Sequence, residues 1–259
     1  MNALWVLGLI GTIAFTLSRL GSLTPSGAAA ATLVAWATFE GVGWNGIIPL
    51  ATFFVTGTLL TKNTERLGRH PKGVKGSRRD WIQVVANGGI LALGALLVPS
   101  APVFGWAILA GAVSTAQADT WATEFGALND LPPRMITSMK LVPRGTSGAV
   151  SSIGTMGGLA GAITAAIIFY VLPAPSFVPV AALAGGSAGM FFDSVLGATV
   201  ERVYFCKTCR VQTVNKLHTC GEQAFLVRGF PMCTNDTVNL LSTAFGATVA
   251  IGVSLVLTI

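Results

Sequence analysis

Eight apolar stretches, each near the roughly 20 residues that cross a bilayer's hydrocarbon core, fix what this chain can become. They cover residues 3–18, 24–40, 44–60, 82–98, 102–118, 148–172, 177–198 and 237–258. Charged residues make up only 10% of the 259, against about 25% in a soluble domain. The polar surface needed to coat a water-soluble globule is missing. This excludes an ordinary cytosolic enzyme, a disordered chain, a coiled coil and a nucleic-acid-binding module. The expected fold is all-α: one polytopic bundle spanning residues 1–259, with about eight spans (six to eight).

The net charge of +6 is a statement about orientation, because its carriers are clustered. Arg19 follows the first span. The other basic residues fall in loops 61–81 (Lys62, Arg66, Arg69, Lys72, Lys75, Arg78, Arg79), 119–147 (Arg134, Lys140, Arg144) and 199–236 (Arg202, Lys207, Arg210, Lys216, Arg228). With eight spans all of these land on one face. The positive-inside rule makes that face cytoplasmic and puts both termini outside, as expected of a multi-pass protein of the cytoplasmic membrane.

Two stretches leave alternatives open. The run 24–40 starts well, with Thr24 and Pro25 as cap and first-turn residue, but it is rich in Ala and ends at Glu40. It reads either as a full span or as part of a re-entrant hairpin. Residues 1–20 resemble a signal peptide but lack a basic start and precede many more spans, so a retained helix is expected. Three-residue separations between Gly154 and Gly158, Gly157 and Gly161, and Gly185 and Gly189 predict close helix packing in lipid.

Ionisable groups at membrane depth are costly and point to function. Span five runs into Asp119-Thr120 and then Glu124; span seven runs into Asp193-Ser194, with Glu201 following. Asp193, Gly197 and Glu201 share a helical face by their spacing of four, whereas Asp119 and Glu124 do not. Carboxylates and hydroxyls at helix ends suit Mg²⁺, which takes one or two carboxylates and fills its shell with substrate phosphates. The plainer alternative is that each Asp caps a helix or pairs with a loop Arg.

Downstream, Lys140 and Arg144 precede the turn Gly145-Thr146-Ser147-Gly148, which leads into span six. Two cations, a glycine-rich turn and a helix N-terminus make a phosphate cradle, which Arg79 of the first loop can assist. A capped helix with snorkelling cations is the alternative. Gln83 and Asn87 stack on one face just inside the membrane, and Asn239 opens span eight; these amides suit a lipid headgroup or a neighbouring helix.

All four cysteines lie in the third loop. Cys206-x-x-Cys209 with His218 and Cys220 offers four soft ligands at zinc-compatible separations, within an insert at 204–222. A structural zinc and free thiols both remain open. A structural disulfide is not expected on a cytoplasmic loop.

The blocks Ala118-Asp119-Thr120-Trp121-Ala122-x-Glu124-x-Gly126 and Lys140-x-Val142-Pro143-x-Gly145-Thr146-x-Gly148-x-x-Ser151 resemble the integral membrane family named for transmembrane protein 19, or DUF92. The likeness extends to Leu60-Thr61-Lys62, Gln83-Val84-x-Ala86-Asn87-Gly88, Asp193-Ser194-x-x-Gly197-Ala198 and Val238-Asn239. A plant member of that family is a phytyl-phosphate kinase. The resemblance therefore implies phosphorylation of an isoprenoid monophosphate to its diphosphate by a nucleoside triphosphate. The motif order is also similar, more loosely, to that of polyprenol kinases that use CTP.

On this reading Asp119 and Asp193 hold Mg²⁺, Glu124 is a further ligand or orients the site, and Lys140 serves catalysis. Lys62, Arg79, Arg144, Gly145 and Thr146 bind phosphates, and Gln83, Asn87 and Asn239 line the headgroup side. The competing class is a transporter or lipid flippase, which would place its charges at the midplane. A scaffold protein would leave Asp119, Glu124 and Asp193 unexplained.

Overall fold

A computed structural model describes residues 3–70, 76–218 and 220–259; Lys72 and Lys75 of the first basic loop lie outside them. Among the described residues every expected span is a helix. These are α1 (Ala3–Arg19), α2 (Pro25–Val42), α3 (Trp44–Arg66), α4 (Trp81–Leu97), α5 (Pro102–Leu128), α6 (Ser152–Val171), α7 (Val178–Thr199) and α8 (Asn235–Thr258). By length and composition α3, α6, α7 and α8 are each able to cross a membrane, and α1 and α4 are shorter apolar helices.

Helix starts follow local chemistry. Thr24 Oγ1 accepts from the Gly27 amide at 3.0 Å ahead of Pro25. Asp80 and Gln83 form a reciprocal capping box on α4, while Ser151 and Thr234 cap α6 and α8. Between α2 and α3 the chain turns on Gly43, whose φ of 62° suits a residue without Cβ. The run 24–40 is carried by α2. Its 18 residues form one unbroken helix, about 27 Å long at 1.5 Å per residue, packed along α1 and α4.

The longest helix, α5, is the axis of the bundle and touches α3, α4, α6, α7 and α8. Its stretch from Gly105 to Ala118 is largely buried against protein, so it can carry Ser114, Thr115 and Gln117 without exposing them to lipid. Small residues make this enclosure possible. A Cβ on Gly185 would lie 2.5 Å from Gly246 O and 3.0 Å from Gly111 Cα, where α7, α8 and α5 cross. Gly154, Gly158 and Gly161 let α6 lie against Ala118, Ala122 and Gly126 of α5. The glycine spacing in the sequence thus serves helix packing.

Three element boundaries differ from expectation. α5 continues through the assumed loop start at 119 to Leu128, and α3 runs past 61 to Arg66, because Glu124 and Thr61 and Thr64 face one another across these extensions. Residues 149–150 are a strand, β2 (Ala149–Val150), paired antiparallel to β1 (Arg134–Met135), so α6 begins only at Ser152. The third loop folds as a small antiparallel sheet of β3 (Val203–Cys206), β4 (Val211–Thr213) and β5 (Phe225–Arg228) in the order β4-β3-β5.

Contacts between connections show which helix ends lie together. Leu23 bridges Arg79, Lys62 reaches Ser22, Arg69 pairs with Asp130, and Ser147 bonds Glu201. The α1–α2 turn and all three basic connections therefore share one end of the bundle. Among the described residues, the connections at the opposite end are the short turns 98–101 and 172–177 and the Gly43 turn.

Candidate active site

At this polar end α5 and α7 present Asp119 and Asp193, both half-buried. They are electrostatic neighbours of each other and of Glu201. From α8, the Asn239 amide oriented as a donor reaches Asp193 Oδ2 at 3.2 Å and Asn235 O at 3.3 Å, and the Ser242 hydroxyl faces the same carboxylate. Neither Asp caps a helix, and among the described residues neither has a Lys, Arg or His within ion-pair distance. Two adjacent carboxylates with amide and hydroxyl partners but no counter-cation suit a hard cation arriving with its own phosphate and water ligands. Asn239, read from the sequence as lining the headgroup side, here contacts Asp193 directly.

Glu124 is a further electrostatic neighbour of Asp119. Its side chain is 3% exposed and turned toward α3. Oε1 accepts from Thr61 Oγ1 at 2.7 Å, Oε2 accepts from Thr64 Oγ1, and His70 Nδ1 stands 3.8 Å away. A buried carboxylate needs such partners. The Glu124 charge faces the guanidinium of Arg79.

Arg79 is the best-placed cation. Its guanidinium lies 5.0 Å from the Phe53 ring centre and 5.1 Å from that of Phe54. It runs alongside Gly57, where a Cβ would lie 2.7 Å from Nη2 and 3.2 Å from a Thr120 methyl. Its backbone is clamped to the α1–α2 turn, with the Arg79 amide donating to Ser22 O at 3.1 Å and Thr24 N donating to Arg79 O at 3.0 Å. Burial lowers its pKa to about 10 against the opposing pull of Glu124, which still leaves it charged at neutral pH. Lys62 Nζ donates to Ser22 Oγ at 3.0 Å in the same corner.

The expected cradle is only partly assembled. Lys140 is exposed beside the Arg134–Leu141 bridge. Arg144 is instead tied to Asp130, at 2.9 Å to its carbonyl and 3.3 Å to its carboxylate, and Arg69 holds that carboxyl below the usual range. Gly145 turns with φ 75° and Thr146 Oγ1 donates to Pro143 O at 2.7 Å, so that hydroxyl is used within its own turn. A helix N-terminus does not follow at 148; β2 intervenes and Ser151 caps α6. Gln83 Oε1 accepts from the Asp80 amide at 3.2 Å, and Asn87 Nδ2 donates to Gln83 O at 3.0 Å. The nearest protein partners of both amides are thus the backbone of their own helix start.

One cluster passes unseen in the sequence. Glu201, 4% exposed, accepts from Ser147 Oγ, and burial pushes its carboxyl up. Arg228 Nη2 donates to Gly197 O at 2.8 Å and to Ser147 O at 3.1 Å. Gly148 packs directly on Ala198, and a Cβ there would strike its backbone. The segment after Lys140 is thereby fastened to the end of α7, close to Asp193. Only the shared face of Asp193, Gly197 and Glu201 gave a hint of it. Deeper in α5, Gln117 donates to Gly161 O at 3.0 Å, a polar group inside an otherwise apolar run.

Cys206, Cys209, His218 and Cys220 converge, with their ligand atoms all within 4.8 Å of one another, and could hold a metal. His218 brings the Cys220 thiol down to about 6, while hydrogen bonding to Cys220 raises Cys209 to about 11. This is the only set of three or more His, Cys, Asp or Glu ligands that converges among the described residues. A surface groove of about 370 Å³ runs between α1 and α2 past Phe15 and Arg19, away from the carboxylate pair.

The chain matches the family model described as integral membrane protein DUF92 over residues 8–247. Protein PGR of Arabidopsis thaliana is 31% identical over 262 residues, spanning 89% of this chain and 88% of that protein. An uncharacterized membrane protein of Methanocaldococcus jannaschii is 30% identical over 75% of this chain and 81% of its own length. Protein VTE6, chloroplastic, of Arabidopsis thaliana is 28% identical over 88% of this chain and 64% of its own length. No solved structure matches.

Proposed function

This chain belongs to the DUF92 family of integral membrane proteins, and on that premise we propose that it is a membrane-embedded kinase. It converts an isoprenoid monophosphate, of the phytyl or prenyl kind, to the diphosphate at the expense of a nucleoside triphosphate. The observation that supports this reading is the pairing of Asp119 on α5 with Asp193 on α7, with no Lys, Arg or His within ion-pair distance among the described residues, at the end of the bundle that also carries Arg79 and Lys62.

The lipid monophosphate is its own nucleophile. With a second pKa near 6 its oxygen is largely ionised at neutral pH, so no general base is needed. That oxygen attacks the terminal phosphorus of the donor, a new P–O bond forms, the bond to the bridging oxygen breaks, and the nucleoside diphosphate leaves. The barrier is repulsion between two anions, and preorganised charge is what lowers it. Arg79, set against two rings and a glycine, would offer its N–H groups to phosphate oxygens. Lys62 and the exposed Lys140 add mobile charge from two sides. Asn239 and Ser242 orient Asp193, and the Glu201–Ser147–Arg228 cluster holds the 140–148 segment over α7.

Asp119 and Asp193 are the residues that would hold Mg²⁺, which when bound neutralises charge on the donor phosphates. For the Cys₃His group Zn²⁺ is the fitting ion. The polar end faces the cytoplasm, where the nucleotide is, and both termini lie outside. Labelling of single cysteines placed at 77 and 212 from either side of the membrane tests that orientation; opposite accessibility of the two would contradict it.

To test the activity, purified protein in detergent is offered a prenol or a prenyl monophosphate with CTP, ATP, GTP or UTP, and products are identified by mass. The monophosphate should become the diphosphate with at least one donor. Intact protein that transfers to neither acceptor would move the reading to a transporter or flippase.

A further inference from the structure

We infer that Cys206, Cys209, His218 and Cys220 form a closed zinc site that clasps the β3–β5 sheet and thereby holds Arg228 against Ser147 and the end of α7. The ligand spacing fits one ion. Zinc–sulfur bonds of about 2.3 Å in a tetrahedron put sulfurs about 3.8 Å apart. Here Cys206 Sγ and Cys220 Sγ are 3.6 Å apart and His218 Nδ1 is 3.1 Å from Cys220 Sγ. A disulfide would need about 2.05 Å. Three thiolates and an imidazole leave no open position, which is the pattern of a structural rather than a catalytic zinc.

The donors come from two facing turns. Cys206 and Cys209 bracket the turn from β3 to β4, where Arg210 takes a left-handed φ of 54°. His218 and Cys220 sit in the turn closed by the Leu217–Gln223 bridge ahead of β5. Among the described residues the sheet's buried cluster is small, Tyr204, Cys206 and Ala224, with Val203 buried at its edge. So small a unit needs a staple.

What the staple positions is readable from the register. Val203 pairs with Arg228 and Phe205 with Phe225, so Cys206 at the end of β3 fixes where β5 lies. From β5, Arg228 reaches Ser147 O and Gly197 O. Gly229, φ 75°, packs on the Glu201 carbonyl, and Phe230 N donates to Val200 O at 3.0 Å. Arg202 N donates to Cys233 O at 2.9 Å, leaving Cys233 buried and outside the ligand set. None of this rests on the kinase reading.

The test uses full-length protein purified in detergent under reducing conditions. Metal analysis should find about one zinc per chain. Exchange with Co²⁺ should give the visible and near-ultraviolet bands of tetrahedral thiolate coordination, and Cys206→Ser with Cys209→Ser should lose both. Alkylation of Cys233, followed by peptide mass mapping, reads the clasp. Chelation of the wild-type zinc should expose Cys233, and Arg228→Ala should expose it while zinc content stays at one. Reduced, monodisperse protein that holds neither zinc nor cobalt overturns the site. Zinc whose removal leaves Cys233 as protected as before overturns the clasp, and both results are independent of phosphate transfer.

Discussion

Truncating Asn239 to Ala removes the one amide that touches Asp193, at 3.2 Å, and little else. α8 keeps its Thr234 cap, its buried Val238 and the Gly246 crossing with α5 and α7. A hydrogen bond to a charged group contributes about 1.5–3 kcal/mol. Half-burial of both partners and a length of 3.2 Å put this one at the low end. If that bond holds Asp193 in the geometry of the transition state, about 1.5 kcal/mol corresponds to a rate roughly tenfold lower. Asn239→Asp sharpens the test. A second carboxylate at the same distance repels Asp193 by about 5 kcal/mol at an effective dielectric of 20, so its activity should fall further and recover in part as Mg²⁺ is raised. Transfer rates are measured across Mg²⁺ concentrations, with thermal unfolding in detergent to verify the fold. Asn239→Ala protein working within about twofold of wild type would refute the orienting role of this amide.

Arg79→Lys keeps the charge but loses the planar guanidinium set against Phe53 and Phe54, so transfer should rank wild type, then Arg79→Lys, then Arg79→Ala; equal rates would contradict the assigned phosphate contact. In Gly185→Ala the new Cβ would lie 2.5 Å from Gly246 O, so the helices must part, at a cost of about 1–3 kcal/mol; the thermal midpoint should drop, and an unchanged one would remove the packing argument. Burial raises the Glu201 carboxyl, so the folded state binds that proton more tightly than the unfolded chain. Its contribution is full below the ordinary carboxylate range and is lost as pH rises through the raised folded value. Glu201→Gln should flatten that part of the stability–pH curve, and an identical slope in both proteins would count against it.

The spans were legible because a bilayer admits few alternatives: a run near 20 apolar residues has to be a helix. The ambiguity at 24–40 came from alanine and glycine, which are only mildly apolar; the run folds as one helix between Thr24 and Gly43. Helix ends were less readable. α5 stays helical for ten residues past its apolar run because protein, not water or lipid, surrounds Glu124. The carboxylate pair was visible as charge where charge is costly. What became of the neighbouring polar groups was not. Arg144 is held by Asp130 and Gln83 by the start of its own helix, and such local competition leaves no mark in spacing. The Glu201–Ser147–Arg228 cluster joins residues 54 and 81 positions apart, beyond any periodicity. Cysteine spacing, by contrast, reported its cluster directly, because four soft ligands are rare enough to stand out.

The central claim is tested most directly by following a radiolabelled terminal phosphate from a nucleoside triphosphate to a prenyl monophosphate on purified protein with Mg²⁺. The account predicts labelled prenyl diphosphate from the wild type. It also predicts a rate lower by on the order of 10²-fold or more for Asp119→Asn, in protein that remains monodisperse with an unchanged thermal midpoint. Labelled product formed equally fast by Asp119→Asn, or none formed by wild type from any donor, would contradict it.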